Sequence, residues 1–308
     1  MKDYLKHQPV MVDEVVSFIN PKKNKIYFDG TFGQGGYTKK ILEKASCSVF
    51  AIDRDPDSLN FAKKIKKNYP KNFFFEINKL SNIRKILQTT KIDKFDGIML
   101  DLGISNTQLN NPDRGFAFSS NGPLDMRMNK EENSITAKHI VNKFSEKQLS
   151  EIFFHYGEER NSRKISKAII NFRENRIIET TKTLANIIEK INVKQKIHPA
   201  TRVFQALRIF VNEELSELKK ILENSLNILT KDSRIAIVSF HSLEDRIVKK
   251  FFKKHSSLRE KKYKHFPEKE ENNEILKILT KKIIKPSLTE RSINPRSRSA
   301  RLRVAEKL

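Results

Sequence analysis

The chain has 308 residues, enough for one large or two ordinary domains, and carries 61 Lys and Arg against 37 Asp and Glu, a formal charge of +24 at pH 7. That balance favours a polyanionic partner, RNA or DNA ahead of an anionic membrane. The single cysteine, Cys47, excludes an internal disulfide and a cysteine-built zinc site, and no apolar run reaches the length of a membrane span, so a cytoplasmic protein is expected.

In chain order, residues 12–19 read as a short helix with Val12, Val15, Val16 and Ile19 on one face. Ile26, Tyr27 and Phe28 form a β-prone run, followed by Asp29-Gly30-Thr31-Phe32-Gly33-Gln34-Gly35-Gly36, a turn that lets a ligand or another backbone approach closely. Residues 37–45 have helical spacing, and 48–52 are a second apolar strand closed by Asp53. The whole is a βαβ unit. Asp53 follows Gly33 by 20 residues, the spacing at which a nucleotide-binding unit places an acid for a ribose. The glycines do not spell G-x-G-x-x-G, and an acid at the end of the first strand repels a pyrophosphate while suiting a cation. S-adenosylmethionine, with its sulfonium and ammonium, fits better than NAD; a purely structural turn is the bland alternative.

Residues 57–68 read as a helix and 73–77 as a strand, and Gly97-Ile98-Met99-Leu100 is a buried strand ending at Asp101-Leu102-Gly103. Acids at the carboxyl ends of two strands of one α/β sheet face one crevice, which makes Asp53 and Asp101 neighbours of one pocket. From about 106 to 202 the strand signals vanish. Helical patterns cover 145–156, where Ser145 and Gln148 form a capping-box pair, then 163–173 and 183–191. Arg160, Arg163, Lys164 and Lys167 form a basic cluster in this stretch. Phe116, Phe118, Phe153 and Tyr156 follow the apolar pattern and are expected in the core rather than as base platforms.

His198-Pro199-Ala200-Thr201-Arg202 opens a helical stretch expected to run through Leu229, and residues 233–240 are a buried strand followed by His241 and Glu244-Asp245-Arg246. No second His or Cys stands at ligand spacing from His241, so no metal site is expected and His241 is a positioning hydrogen-bond group. Residues 253–285 are charged and irregular, an excursion between two strands. The tail places Arg296, Arg298, Arg301 and Arg303 within eight residues, a candidate phosphate-contacting surface.

With the glycine loop 29–36, Ala51-Ile52-Asp53-Arg54-Asp55-Pro56, Leu100-Asp101-Leu102-Gly103, Gly122-Pro123-Leu124-Asp125-Met126-Arg127-Met128, Tyr156-Gly157-Glu158-Glu159-Arg160, His198 to Arg202, Ser239 to Arg246 and Asn294-Pro295-Arg296-Ser297-Arg298 in that order, the chain resembles the bacterial ribosomal RNA small-subunit methyltransferase H family. The resemblance implies a Rossmann-like class I methyltransferase domain, residues 1–108 and 206–308, with an all-helical substrate-recognition domain inserted at 109–205. It implies an adenosylmethionine-dependent enzyme that methylates N4 of a cytidine in the decoding region of 16S ribosomal RNA, acting on the small subunit or its assembly intermediate. A homodimer is compatible with the pattern, which leaves the oligomeric state unassigned. The family's cofactor contacts fall on Gly35, Gly36, Tyr37, Asp53, Leu80, Asp101 and Gln108, beside Gly33 of the loop itself. Tyr37 stands where the family generally has His, and Leu80 where it has Phe, which removes aromatic stacking on an adenine.

Methylating an exocyclic cytosine nitrogen requires an acceptor for its hydrogens, because its lone pair is delocalised into the ring. Asp101 is the candidate for that catalytic role, with Ser105 and Asn106 as alternative base contacts. The competing readings are a nicotinamide-dependent dehydrogenase and a non-catalytic RNA-binding assembly factor that keeps the adenosylmethionine pocket.

Overall fold

The computed structural model describes residues 9–132, 134–192, 197–256 and 274–308. The chain divides into two compact units, Met1–Gly103 with Leu215–Leu308, and Ile104–Glu214.

The first unit opens with α1 (Val12–Ile19), then β1 (Ile26–Asp29), α2 (Gly36–Lys44), β2 (Ser48–Asp53), α3 (Leu59–Asn68), β3 (Phe73–Ile77), α4 (Ile83–Thr89) and β4 (Phe95–Asp101). The helical unit then holds α5 (Asn106–Asn110), α6 (Ala137–Lys143), α7 (Glu146–Gly157), α8 (Ser162–Asn175), α9 (Thr181–Glu189) and α10 (Thr201–Asn212). The chain returns through α11 (Glu214–Ile228), β5 (Leu229–Ser239), α12 (Ser242–Lys254), β6 (Leu276–Ile278), α13 (Leu288–Ile293) and β7 (Arg301–Lys307).

The seven strands form one sheet in the order β3-β2-β1-β4-β5-β7-β6, with β7 antiparallel to both neighbours. Strand periodicity explains why helices cover both faces. Tyr27, Val49, Ala51, Met99, Ala236, Val238, Leu302 and Val304 join the core under α1, α2 and α3. Their alternating neighbours Phe28, Phe50, Ile52, Ile98, Leu100, Ile235 and Ile237 join the core under α4, α11 and α12. Side chains apolar at both parities are buried on both sides, which is why these strands read as continuous apolar runs. The result is the doubly wound, Rossmann-like sheet expected of the sequence. Cys47 is a packing residue, its thiol buried and pushed up to about 11 by that burial.

In the helical unit a separate apolar core gathers Leu149, Ile152 and Phe153 of α7, Ile165 and Ile169 of α8, Leu184 and Ile188 of α9, and Val203, Phe204 and Leu207 of α10. Phe116 and Phe153 are buried in it, while Phe118 and Tyr156 pack at its edge. Helix α7 starts at the Ser145–Gln148 capping box, both halves of which form. The loop before α6 is pinned by side chains: Arg114 Nη2 donates to the carbonyls of Arg127 and Met128, and Asn212 takes the N–H of Met128 and donates to Met126 O.

Two expectations change. The helical stretch after His198 does not run unbroken to Leu229, because Glu213 adopts a left-handed conformation (φ 52°) that ends α10 before α11 begins. The strand after it starts at Leu229, four residues before the apolar run that marks it in the sequence. Of the charged stretch 253–285, residues 257–273 lie outside the described residues.

Candidate functional site

The first unit carries its chemistry at the carboxyl ends of β1, β2 and β4. Asp29 pairs in register with Ala51 of β2 and Met99 of β4. Asp53 and Asp101 each stand two residues further along their strands, so the strand period brings three carboxylates to one face of one edge. Their bonding separates their roles.

Asp29 is buried and occupied: Thr38 Oγ1 donates to Oδ2 at 2.7 Å and the Thr31 N–H donates to Oδ1 at 3.3 Å. Burial raises its pKa to about 6 against the pull of those bonds. Asp53 is partly exposed and shapes the loop, accepting from the N–H of Gly33 at 2.6 Å and of Asp55 at 2.8 Å. Burial still raises it to about 7, with Asp55 and Asp29 adding repulsion. The 20-residue spacing therefore reflects a bond inside the protein: Asp53 holds Gly33 directly.

Asp101 is the exception. Its N–H donates to Thr31 Oγ1 at 2.6 Å, but its Oδ1 is buried with no hydrogen-bond partner. Burial, followed by the charges of Asp29, Glu244 and Glu290, holds its pKa well above the usual carboxylate range. An acid with an orphaned oxygen, among other acids, is expensive for the protein alone and is relieved by a cation or a hydrogen-bond donor.

The glycines divide in two. A side chain at Gly33 (φ 53°) would meet nothing nearer than Thr31 O at 4.0 Å, and one at Gly103 (φ 102°) only Phe240 at 3.6 Å, so open space borders both. Gly35 and Gly36 are required by packing: a Cβ would lie 2.4 Å from Ile65 at the first and 2.4 Å from Pro9 at the second, and the Gly35 N–H is spent on Phe32 O. Leu80 packs over the first strand's end, its Cδ2 2.7 Å from where a Cβ of Gly30 would stand. Tyr37 lies in the first turn of α2 with its ring buried and its hydroxyl donating to Val10 O at 2.6 Å. Burial first, then Asp101 and Asp29, raise its pKa well above 10, so it stays a neutral donor to that carbonyl.

One buried acid, two partly exposed carboxylates at the same strand edge and open space at Gly33 fit a nucleoside that also carries positive charge. Adenosylmethionine is compatible with that donor set, in which Asp53 could take ribose hydroxyls, the negative field of Asp29 and Asp101 could favour a cation, and Leu80 could give apolar contact.

Gln108, Ser105 and Asn106 belong to the helical unit. Ser105 N donates to Gln108 Oε1 at 2.9 Å and Gln108 N to Ser105 Oγ at 3.2 Å, a second capping box that opens α5. His241 is likewise a cap: its Nδ1 accepts from Glu244 N at 3.4 Å, while Glu244 Oε2 accepts from Phe240 N at 2.9 Å. Of the four tail arginines, Arg301 and Arg303 are bound to an acid. Arg303 Nε and Nη2 reach Asp245 at 2.6 and 3.1 Å, and Arg301 reaches the same carboxylate at 3.3 Å. Alternation along β7 puts both on the face toward α12, whereas Arg296 and Arg298 are exposed. Sequence reasoning missed Glu290, whose Oε1 accepts from Met11 N at 2.8 Å across 279 residues and whose charge reaches Asp101. No local pattern announces such a contact.

Among the described residues no helix is long and apolar enough to cross a membrane. A family model described as the MraW methylase family matches residues 4–308. The protein of Ehrlichia canis (strain Jake) named "Ribosomal RNA small subunit methyltransferase H" is 46% identical over 305 residues, covering 98% of this chain and 100% of that protein. Its namesake in Rickettsia bellii (strain OSU 85-389) is 46% identical over 306 residues, covering 98% and 99%, and that of a Wolbachia from Drosophila simulans is 44% identical over 304 residues, covering 98% and 99%. Among solved structures, an rRNA methylase from Streptococcus thermophilus matches 98% of both chains at a TM-score of 0.43 and 10% identity, a distance at which the likeness says nothing about the site.

Proposed function

Because this chain belongs to the MraW methylase family, we propose that it is the enzyme that methylates N4 of a cytidine in the decoding region of 16S ribosomal RNA. Its class is an adenosylmethionine-dependent rRNA methyltransferase. The observation that carries the choice of pocket is Asp101: a buried carboxylate oxygen with no partner, at the strand edge shared by Asp29 and Asp53.

When bound, S-adenosylmethionine supplies an electrophilic methyl group on a sulfonium. The chain's residues do the rest. Asp53, already fixed by two backbone donors, orients ribose hydroxyls without moving. Asp29 stays inside and keeps the glycine loop in place through Thr31 and Thr38. Asp101 offers its free oxygen to the hydrogens of the acceptor amine, favouring a pyramidal nitrogen and taking up positive charge as it develops. Its raised pKa suits it to receive the one proton the amine must release. Reaching such a pocket requires an unstacked base, so a flexible rRNA loop is a better substrate than a rigid duplex.

The test is incubation of the purified protein with adenosylmethionine and small ribosomal subunits lacking the modification, followed by nucleoside mass spectrometry, with Asp101→Ala alongside. N4-methylcytidine that depends on Asp101 is the expected result. A methyl group on another nucleoside overturns the acceptor assignment, and cofactor binding without transfer overturns the enzyme.

A further inference from the structure

Two motifs of the helical unit have no part in the cofactor chemistry: Tyr156-Gly157-Glu158-Glu159-Arg160 and His198-Pro199-Ala200-Thr201-Arg202. Three contacts bring them to one end of that unit. A Cβ at Gly157 would lie 2.5 Å from Arg202 O, so the end of α7 sits against the start of α10. Gln205 Nε2 donates to Tyr156 O at 3.1 Å, repeating that contact one turn later. Asn161 Nδ2 donates to Asn192 Oδ1 at 2.8 Å, and Asn192 Nδ2 to Glu159 Oε2 at 3.3 Å, which ties the end of α9 to the turn before α8.

The polar inventory of this end is uneven. Glu159 is buried, its carboxylate accepting from Asn161 N and from Asn192, so it is turned away from the surface. Arg160, Arg163 and Lys164 are exposed and Arg202 partly so, and among the described residues none of these four side chains has a hydrogen bond or ion pair. His198 lies parallel to Phe118, with ring centroids 4.2 Å apart and planes 17° apart. Its orientation is set from both nitrogens: Nδ1 accepts from Ala200 N at 3.2 Å and Nε2 lies 3.1 Å from Glu189 Oε1. Phe118 is in turn held edge-on by Phe204. The His198 side chain nevertheless remains 39% exposed, an aromatic ring fixed on one face and open elsewhere.

We propose that this end of the helical unit holds a single-stranded stretch of the rRNA substrate, with His198 on Phe118 as a base-stacking platform and Arg160, Arg163 and Arg202 as phosphate contacts. The inference rests on the rRNA reading above. A fixed π-face beside unpaired cations is the combination by which proteins hold unpaired nucleotides without reading a duplex groove. A preformed ring loses little conformational freedom on binding, and free guanidiniums suit phosphate oxygens. An interface with a protein partner would not call for a run of cations left without acids.

The test uses the full chain, the same unmodified subunits, and a single-stranded RNA oligonucleotide as probe. His198→Ala should weaken oligonucleotide binding about 5- to 150-fold, the loss of one base stack, and His198→Tyr should restore most of it. Arg160→Ala with Arg163→Ala should lower the slope of log affinity against log salt by about 0.7 for each lost contact. Calorimetric adenosylmethionine binding should be unchanged in all of them. Oligonucleotide affinity and salt slope equal to the parent's in both the His198→Ala and the paired arginine variants overturn the proposal even if the parent methylates rRNA. A salt effect without a His198 effect removes the platform. A parent that transfers no methyl to rRNA sinks the functional reading instead.

Discussion

Replacing Asp101 with Asn separates what the pocket does from what it costs. The side chain keeps its shape and loses its charge. In the free protein Asp101 Oδ1 is buried without a partner, and the group is raised by burial and by Asp29, Glu244 and Glu290. Asn keeps a polar atom at that position without the charge, and an unsatisfied buried group costs more charged than neutral, so about 1–2 kcal/mol should be recovered. For a chain of 308 residues that corresponds to a rise in Tm of about 1.5–3 °C without cofactor. With cofactor and acceptor the sign reverses, because a hydrogen bond to a charged group is worth about 1.5–3 kcal/mol, or about 10- to 150-fold in methyl transfer. The assay is a pair of thermal scans with and without adenosylmethionine, set beside turnover on unmodified subunits. An Asn variant that is less stable than the parent when free, yet turns over normally, would refute both the cost and the role assigned to Asp101.

Cation affinity at this site should depend on pH. Asp29 and Asp53 carry raised pKa values of about 6 and about 7, so their negative charge is completed as pH rises through that range. Adenosylmethionine affinity should therefore increase from pH 5.5 to 8 by more than that of S-adenosylhomocysteine, which lacks the sulfonium charge; parallel titration calorimetry curves would contradict this. The same raised values mean that the free protein binds more protons folded than unfolded, so its stability should fall, not rise, as pH climbs from about 4 to about 7 at these two groups. Asp245→Ala should be severe: burial opposes the carboxylate, but the hydrogen bonds and charge of Arg303, then of Arg301, hold its pKa low, and removing it leaves Arg303 buried and unpaired. A loss of about 3–5 kcal/mol in chemical denaturation is expected. Gly157→Ala should cost about 1–3 kcal/mol in the same measurement, since its Cβ would stand 2.5 Å from a backbone oxygen that cannot swing away.

What the sequence by itself determined about this protein is what short-range chemistry determines. Helix α1 and strand β3 fall on the residues whose apolar spacing marks them, because one buried face is written into each segment. The Ser145–Gln148 cap forms because both partners lie three residues apart. The acids that close β1, β2 and β4 were legible beside their glycines, and the order of the motifs carried the family. Only the tertiary structure decided what those residues do once they meet. It spent the Gly33 N–H on Asp53, turned the Tyr37 hydroxyl to Val10, and left one oxygen of Asp101 without a partner. It buried Arg303 of β7 against an acid of α12 58 residues away and left Arg298, in the turn before that strand, exposed. It brought Gly157 against Arg202, two motifs that the sequence keeps more than forty residues apart. Local patterns state which face a residue takes; only packing across the fold states which partner waits there, because that partner is chosen by space and by hydrogen-bond accounting rather than by sequence distance.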